Sequence, residues 1–340
     1  MPIQGFTRFR KHQIGKQTTI GTAVAATRVF PYRGNLVIDP HWTDPDVDVG
    51  SIDPTLPPFR TAIDVTTSLT GPLIYDEIPT MLAAAVRGGV SPTGAPAKTW
   101  NFTALSLTAT TQDFFTDEWG DDVTADGAQA FGGVISRLQW GFGPDMGPWD
   151  VTMDWMYAGV NRPVSPTGGL SVGSNPIFVY GTDTAFYIDD TAGTIGTTKI
   201  TDAVHAFTQT ITNTIDKKQF ANGSNPSGRF GTHGWGLSAR EIVTEITFAK
   251  TSDSIAETAD WLNANAVNRF IEIRNISPTI ITGSTPYSQN IRIAGRWYTR
   301  TDAEQGGNTT IVLGCRAFYE GTTLLYAFRD EVVNTLAALP

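Results

Sequence analysis

Few residue patterns in this chain resemble a catalytic site, and the best of them lacks the context that catalysis requires. The segment GLSVG at 169–173 matches the G-x-S-x-G nucleophile elbow around Ser171. An elbow needs an apolar strand before the serine and a helix after it. Here RPVSPTG precedes the motif and SNPIFVY follows it. We therefore do not expect ester hydrolysis, and an esterase centred on Ser171 is kept only as a third hypothesis.

Metal and cofactor chemistry is equally weakly indicated. Asp44, Asp46 and Asp48 alternate like the first ligands of a calcium loop. That loop needs Gly at its position 6 and Glu at position 12, whereas Gly50 and Thr55 stand at positions 7 and 12. A solvated acidic loop is the alternative to a degenerate calcium site. The four histidines lack metal-ligand spacing and no nucleotide-binding motif occurs, so we expect no metal and no cofactor.

Composition bounds the remaining possibilities. The 340 residues suit two domains, and a net charge of −9 argues against a protein that reads DNA sequence. The single cysteine, Cys315, stands in a predicted strand, where we expect a small buried apolar side chain. No run of about 18 apolar residues is present and the start lacks a signal-peptide core, so we expect synthesis in the cytoplasm and no membrane span.

Acidic residues recur on the polar faces of predicted strands. In the strand that begins at Asp150, apolar residues alternate with Asp150, Thr152 and Asp154. Asp64 belongs to a similar polar face in the first half of the chain, and Glu241 and Glu245 to one in the second. Such a face is either an ordinary solvent-exposed sheet surface or the wall of an enclosed channel.

The elements that must carry these faces are mainly strands. Alternation with period two predicts β structure, and the predicted strands are 28–38, 60–70, 98–109, 203–215, 240–250 and 269–277. Two short helices are predicted, at 75–87 with Asp76 as N-cap and at 254–267 with Ser254 as N-cap. The fold class is therefore mainly β, with one short helix in each half of the chain.

Two segments resemble one another as hairpins, at 132–159 and 290–321. Both halves of the chain have the order strand, long loop, strand, helix, strand, loop, hairpin, which predicts two pseudo-repeated domains; coincidence among β-rich segments is the alternative. The predicted division is a domain at 1–160, a Pro/Gly/Ser-rich linker at 161–184, and a domain with a C-terminal tail at 185–340.

The N-terminus is basic although the chain is acidic. No acidic residue precedes Asp39, and the basic residues before it include Arg8, Arg10, Lys11 and Lys16. The segment is either a solvated tail or an arm that lies on the acidic surface of a neighbouring copy, in which case these four side chains make the contact.

Several segments resemble the tail tube proteins of long-tailed bacteriophages, in particular the tandem two-domain type. They are KQTTIGTAVAATRVFPYRG near the start, DEIPTMLAAAVRGGVSPTGAPAKTWNFT in the first half, and TTIVLGCRAFYEGTT near the end. The resemblance extends over most of the chain, although its motifs are positional and compositional.

This resemblance implies a β-sandwich or barrel-like fold with one flanking helix per domain, in a structural, non-enzymatic virion protein. Its copies would form rings, three-fold with pseudo-six-fold symmetry for the two-domain type, that stack into a hollow tube for viral DNA. Asp64, Asp150, Asp154, Glu241 and Glu245 would face the lumen. The loops at 39–59, 107–131 and 216–239 would join rings, and the tube ends would bind tape measure, tail tip and terminator proteins.

A rival hypothesis from another class is a virion decoration or receptor-binding module. It requires a compact exposed aromatic patch, for which GFGPDMGPWD at 141–150 is the candidate tip.

Overall fold

The protein is described by a computed structural model over residues 10–45, 56–104, 112–121, 126–172, 175–201, 203–220, 231–263, 267–305, 307–324 and 326–340. Within these ranges the chain is mainly β, with seventeen strands and two short helices. The predicted fold class is therefore confirmed at this level.

The first half of the chain contains nine strands and helix α1. These elements are β1 (Lys11–Gln17), β2 (Arg28–Phe30), β3 (Leu36–Thr43), β4 (Phe59–Pro72), α1 (Ile78–Ala85), β5 (Lys98–Thr103), β6 (Phe114–Gly120), β7 (Gly127–Phe142), β8 (Asp150–Tyr157) and β9 (Gly159–Val164). The second half contains eight strands and helix α2. These are β10 (Thr184–Asp189), β11 (Lys199–Ile200), β12 (Val204–Lys218), β13 (Gly234–Ala249), α2 (Ser252–Leu262), β14 (Arg269–Thr282), β15 (Thr285–Gln305), β16 (Asn308–Ala317) and β17 (Phe328–Asn334).

Alternating sequence patterns produce half-buried strands, as predicted. In β8 the residues Val151, Met153 and Trp155 are buried, while Asp150 is exposed and Asp154 is half-buried. The strand predicted at 28–38 is divided between β2 and β3. Both predicted hairpins are present as the antiparallel pairs β7–β8 and β15–β16.

The long loops are shorter than predicted. Described parts of 39–59, 107–131 and 216–239 contribute residues to β3, β6, β7, β12 and β13. Strand β6 lies entirely within 107–131, and its successive buried residues lack the period-two alternation that predicts a half-buried strand. The other strands extend beyond their predicted limits. Parts of these loops, including Asp46 and Asp48, lie outside the described residues.

Both helices form, but their N-caps differ from those predicted. Helix α1 has Glu77 as N-cap without a side-chain hydrogen bond, and Pro79 lies in its first turn. Helix α2 has Thr251 as N-cap, and Ser254 takes the third helical position in a capping box with it. Each helix is thus placed by neighbouring residues rather than by Asp76 or Ser254 as N-cap.

One sheet runs through both halves, and we call it the long sheet. Its strand order is β3–β4–β8–β7–β12–β13–β16–β15, with all neighbours antiparallel. The two halves meet at β7–β12, where Leu138 faces Ile211 and Gln139 faces Thr210. We call this internal junction the seam.

Each of two smaller sheets shares one strand with the long sheet. The first has the order β2–β1–β6–β7–β9 and uses the N-terminal part of β7. The second has the order β11–β10–β14–β15–β17 and uses the N-terminal part of β15. Strand β5 of the first half pairs with the edge of β17.

The hydrophobic core is continuous across the two halves. One cluster of buried residues includes Trp155 of β8, Phe207 of β12 and Phe248 of β13. Phe115 of β6 packs edge-on against Trp155, with ring centroids 6.1 Å apart. All eight residues of α1 are buried, and six of them belong to this cluster, as expected of a helix that is apolar over most of its surface.

The segment predicted as a linker is tied to the first half. Residues 161–164 are the end of β9, and Val179 accepts a backbone hydrogen bond from Trp149 at 2.7 Å and donates one to Leu73 at 3.0 Å. The predicted domain division at 1–160, 161–184 and 185–340 stays a prediction.

Candidate assembly surfaces

The five acidic residues predicted to share a surface lie on one face of the long sheet. Residues directly opposite one another in antiparallel strands point to the same side. One row across the sheet joins Ser68, Asp154, Arg137, Thr212 and Glu241 through successive strand pairs.

A second row on the same face completes the set. It joins Asp150, Gly141, Thr208 and Glu245. Asp64 lies further along β4, four residues before Ser68 and therefore on the same side. We call this surface the acidic face; whether it encloses a lumen stays a prediction.

Some of these carboxylates have positively charged neighbours. Glu241 forms an ion pair with Arg316 at 3.0 Å, and Arg137 lies 3.8 Å from Asp154. Asp64 contacts Lys217 and accepts a hydrogen bond from His41 at 3.1 Å.

Asp150 and Glu245 have no ion-pair partner within the described part of the chain. Exposed pairs contribute little to stability, about 0–1 kcal/mol each, so the acidic face is not needed to hold the fold. The negative charges of Asp150 and Glu245 are therefore available for interaction with a molecule outside the chain.

Two strand edges of the long sheet are unpaired among the described residues. Strand β3 pairs only with β4, and residues 296–305 of β15 pair only with β16. Exposed N–H and C=O groups on such edges are templates for another strand. Side chains along β3 are half-buried or exposed, including Trp42, which is 60% exposed.

Beside the seam, side chains of the second half bind carbonyl groups at the end of helix α1. Asn213 of β12 donates to the carbonyl oxygens of Ala85 and Ile135, at 2.8 and 3.0 Å. Arg240 of β13 donates to the carbonyl oxygen of Val86 at 2.7 Å and to Asn213 Oδ1 at 2.9 Å. The last carbonyl groups of α1 are thereby satisfied by side chains of the other half.

Arg240 is largely removed from water at this position. Burial lowers its pKa to about 10, so the guanidinium remains charged at neutral pH. The local sequence gives no signal for this role, because Asn213 and Arg240 cap a helix that lies far away in the chain.

The predicted basic arm is only partly described. Arg8 lies outside the described residues, and the Arg10 guanidinium lies 5.1 Å from the centre of the Trp119 ring. Lys11 and Lys16 belong to β1 and not to a free arm. Lys16 forms an ion pair with Asp113 of the same chain at 2.8 Å, whereas the predicted arm would place it on the acidic surface of a neighbouring copy.

The other sequence candidates are dispersed. Ser171 lies in an exposed coil without the strand and helix that an elbow requires. Asp44 is exposed, and no cluster of three or more potential metal ligands occurs among the described residues. Cys315 is fully buried in β16, as expected, and burial raises its thiol pKa to about 12.

The histidines also have separate environments. His12 is buried and 2.9 Å from Asp117, which accepts a hydrogen bond from Tyr157 at 3.0 Å. His41 is on the acidic face, and His205 and His233 lie apart from it in the second half.

The candidate aromatic tip at 141–150 is mostly internal. Trp149 is fully buried and Phe142 nearly so, because both pack against Phe207 of the second half. That segment therefore presents neither aromatic ring as an exposed patch.

Comparison with known proteins gives no family assignment: the sequence matches no protein-family model and no curated protein. Neither helix in the described part of the chain has the length and apolar character to cross a bilayer.

Proposed function

We propose that this chain is a structural subunit of a bacteriophage tail tube, without enzymatic activity. Its copies join edge to edge into rings, and the rings stack into a conduit whose wall is the acidic face. The family resemblance of the sequence supports this proposal. The observation that carries it is that the chain contains one completed seam and two unpaired edges that match the strands of that seam.

The match begins with strand order. In the first small sheet β7 lies between β6 and β9, and in the second β15 lies between β14 and β17. In the long sheet the order β3–β4–β8–β7 is followed by β12–β13–β16–β15. Each strand of the second series has the chain position and hairpin partner of its counterpart, which supports a duplicated unit.

Irregularities of the strands also coincide. In the β12–β13 pair, β13 has one extra, unpaired residue opposite the step from Thr214 to Ile215. In the β3–β4 pair, β4 has one extra, unpaired residue opposite the step from His41 to Trp42. Bulges disrupt pairing locally and are designed features of a fold, so their coincidence is a strong sign of equivalence.

A second bulge behaves in the same way. In β7 the residue between Ile135 and Arg137 has no partner in β8. In β15 the residue between Trp297 and Thr299 likewise has no partner in β16. Two matching bulges support a residue-by-residue equivalence of the two series and set its alignment.

This equivalence predicts how copies join. In the seam, Thr210 of β12 faces Gln139 of β7. Counting from the bulges, Val37 occupies the place of Thr210 and Thr301 the place of Gln139. Pairing β3 of one copy with β15 of the next should therefore put Val37 opposite Thr301, and repetition of this step closes a ring.

The acidic face suits passage of DNA. All five predicted acids lie on the same side of the sheet. Arg137, Lys217 and Arg316 pair with three of them. Closure with this side inward would therefore leave the negative charges of Asp150 and Glu245, unpaired among the described residues, in the bore. Basic walls hold DNA through phosphate contacts, whereas an acidic wall repels the backbone and leaves it free to slide. The virion tail is the proposed location, and proteins at the tube ends are the proposed further partners.

A disulfide between copies tests the register. Directly opposite residues in antiparallel strands have Cα atoms about 4.5–5.5 Å apart, which a disulfide can span. The double variant Val37→Cys, Thr301→Cys should form covalent oligomers on oxidation. The matched control Val37→Cys, Glu304→Cys displaces one partner by about 10 Å and should not cross-link.

Electron microscopy of the purified wild-type protein tests the assembly itself. Rings or stacked tubes are expected, with three chains per ring if the two-domain type applies. Discrete monomers or trimers that bind a ligand would instead favour the decoration or receptor-binding module and refute the conduit.

A further inference from the structure

The two helices of this chain have opposite environments although they hold matching positions. Each follows the second strand of a matching hairpin, β3–β4 or β12–β13. Helix α1 is entirely buried. Helix α2 carries an apolar stripe whose members Ile255 and Leu262 are 54% and 69% exposed. These residues are seven apart and so lie on the same side of the helix.

The second half of the chain covers the C-terminal turn of α1. The side chains that reach it are Asn213 of β12 and Arg240 of β13, which bind the carbonyl oxygens of Ala85 and Val86. This covering is a direct consequence of the seam, because β12 must lie beside β7 to bring these side chains over the helix.

The same geometry can be transferred to the unpaired edges. Counting from the matching bulges, Pro40 takes the place of Asn213, and Ile63 takes the place of Arg240. Aligning the helices at their C-caps, Val86 and Asn263, puts Leu262 in the place of Ala85.

We propose that the exposed stripe of α2 is the docking site for the β3–β4 hairpin of a second copy of this chain, with Leu262 against Pro40 and Ile63 of that copy. This inference rests on the proposed function, since it uses the edge pairing of β3 with β15. It adds the side-chain contact that seals the junction on the face of the sheet opposite the acidic one.

The chemistry of the two junctions agrees with this assignment. Inside the chain, the side chains of Asn213 and Arg240 bind the backbone carbonyl oxygens of Ala85 and Val86. Between copies, a large apolar side chain faces two apolar ones, so the contact is stabilised by removing Leu262 and its partners from water. Ile38 of β3 and Ile63 of β4 pack against the core but are only partly buried, so both leave apolar surface for such a contact.

Proline at this point is compatible with strand pairing. The equivalent residue, Asn213, lies one position beyond Thr212, the last residue of β12 that pairs with β7. Pro40 pairs with Ile63 of β4 on one side, and on the outer side it lies just beyond the proposed pairing between copies, so its missing N–H removes no hydrogen bond from that junction.

The test uses the variant Leu262→Asp in the full chain. We expect an unchanged folded monomer, because the side chain is mostly exposed, and at least a tenfold rise in the concentration needed for half-assembly, measured by sedimentation velocity. Ile280→Asp is the matched control: Ile280 is 51% exposed on β14, away from α2, and its variant should assemble into rings like the wild type.

A compensating pair makes the test specific for the partner. Leu262→Glu should impair assembly, and adding Pro40→Lys to the same chain should restore at least part of it through the new ion pair. If rings form and the Val37–Thr301 cross-link appears while Leu262→Asp assembles like the wild type, the helix contact is refuted and the proposed function survives. If the wild type never assembles, both are refuted.

Discussion

Removal of the Arg240 side chain should cost more stability than removal of any exposed arginine in the long sheet. In Arg240→Ala the carbonyl oxygen of Val86 loses its donor at 2.7 Å and Asn213 loses its partner at 2.9 Å. The carbonyl oxygen of Ala85 keeps Asn213 and Gln112 as donors, at 2.8 and 3.0 Å.

The magnitude follows from these contacts. A hydrogen bond to a charged group contributes about 1.5–3 kcal/mol, and a buried acceptor left without a donor costs about 1–3 kcal/mol. Release of the guanidinium from a site that lowers its pKa recovers part of this. We therefore expect the free energy of unfolding to fall by about 2–4 kcal/mol.

The assay is urea unfolding followed by tryptophan fluorescence, with Arg137→Ala as the matched control. Arg137 lies on the opposite face of the same sheet, is exposed, and is 3.8 Å from Asp154, so its removal should cost about 0–1 kcal/mol. If both variants lose the same stability, the idea that side chains of the second half hold the end of α1 is wrong.

Three further predictions concern titration, reactivity and charge. Burial raises the pKa of Asp330 to about 8, so the folded protein keeps a proton that the unfolded chain releases; stability should fall by up to about 1.4 kcal/mol per pH unit between about pH 4 and 8. Urea unfolding at pH 5 and pH 8 should show a smaller fall for Asp330→Asn, and an unchanged fall would contradict this. Buried Cys315 should react with a thiol reagent only after unfolding, and rapid reaction of the native protein would show that β16 opens. Asp154→Lys with Glu245→Lys should leave the fold intact but make assembled tubes retain DNA in a binding assay; tubes with unchanged DNA passage and retention would remove the electrostatic role of the acidic face.

Local pattern was sufficient to predict most elements and the acidic face. Alternation in β4, β8 and β13 places Asp64, Asp154 and Glu245 on the face of each strand away from its buried residues. Because side chains alternate with a period of two, burial of one set determines the face on which the other set lies. That the three strands present their acids to one side follows from their pairing in register, which the sequence of each strand alone does not specify.

The junctions could not be predicted, because strand pairing is non-local. Nothing near Leu138 indicates that its neighbour is Ile211, and nothing near Arg240 indicates that it binds the end of a helix more than a hundred residues earlier. The N-cap of α1 was misplaced by one residue for a related reason: Asp76 instead binds Thr335 near the other end of the chain, at 3.1 Å, so tertiary contact overrides the local capping preference. The N-cap of α2 was misplaced although its capping box is local, because Thr251 caps the helix and Ser254 takes the third helical position.

Within the described part of the second half, strand β5 has no counterpart. The chain contains it between Ala85 and Phe114, whereas only a few residues separate Leu262 from Arg269. In a ring built from such chains, each chain contributes two similar halves. Halves that carry β5 would therefore alternate around the ring with halves that lack it. An accessory molecule that recognises Asn101, which is exposed on β5, would therefore bind once per chain. A bulky label at Asn101 would show, in averaged images of the ring, which half of each chain is the first one.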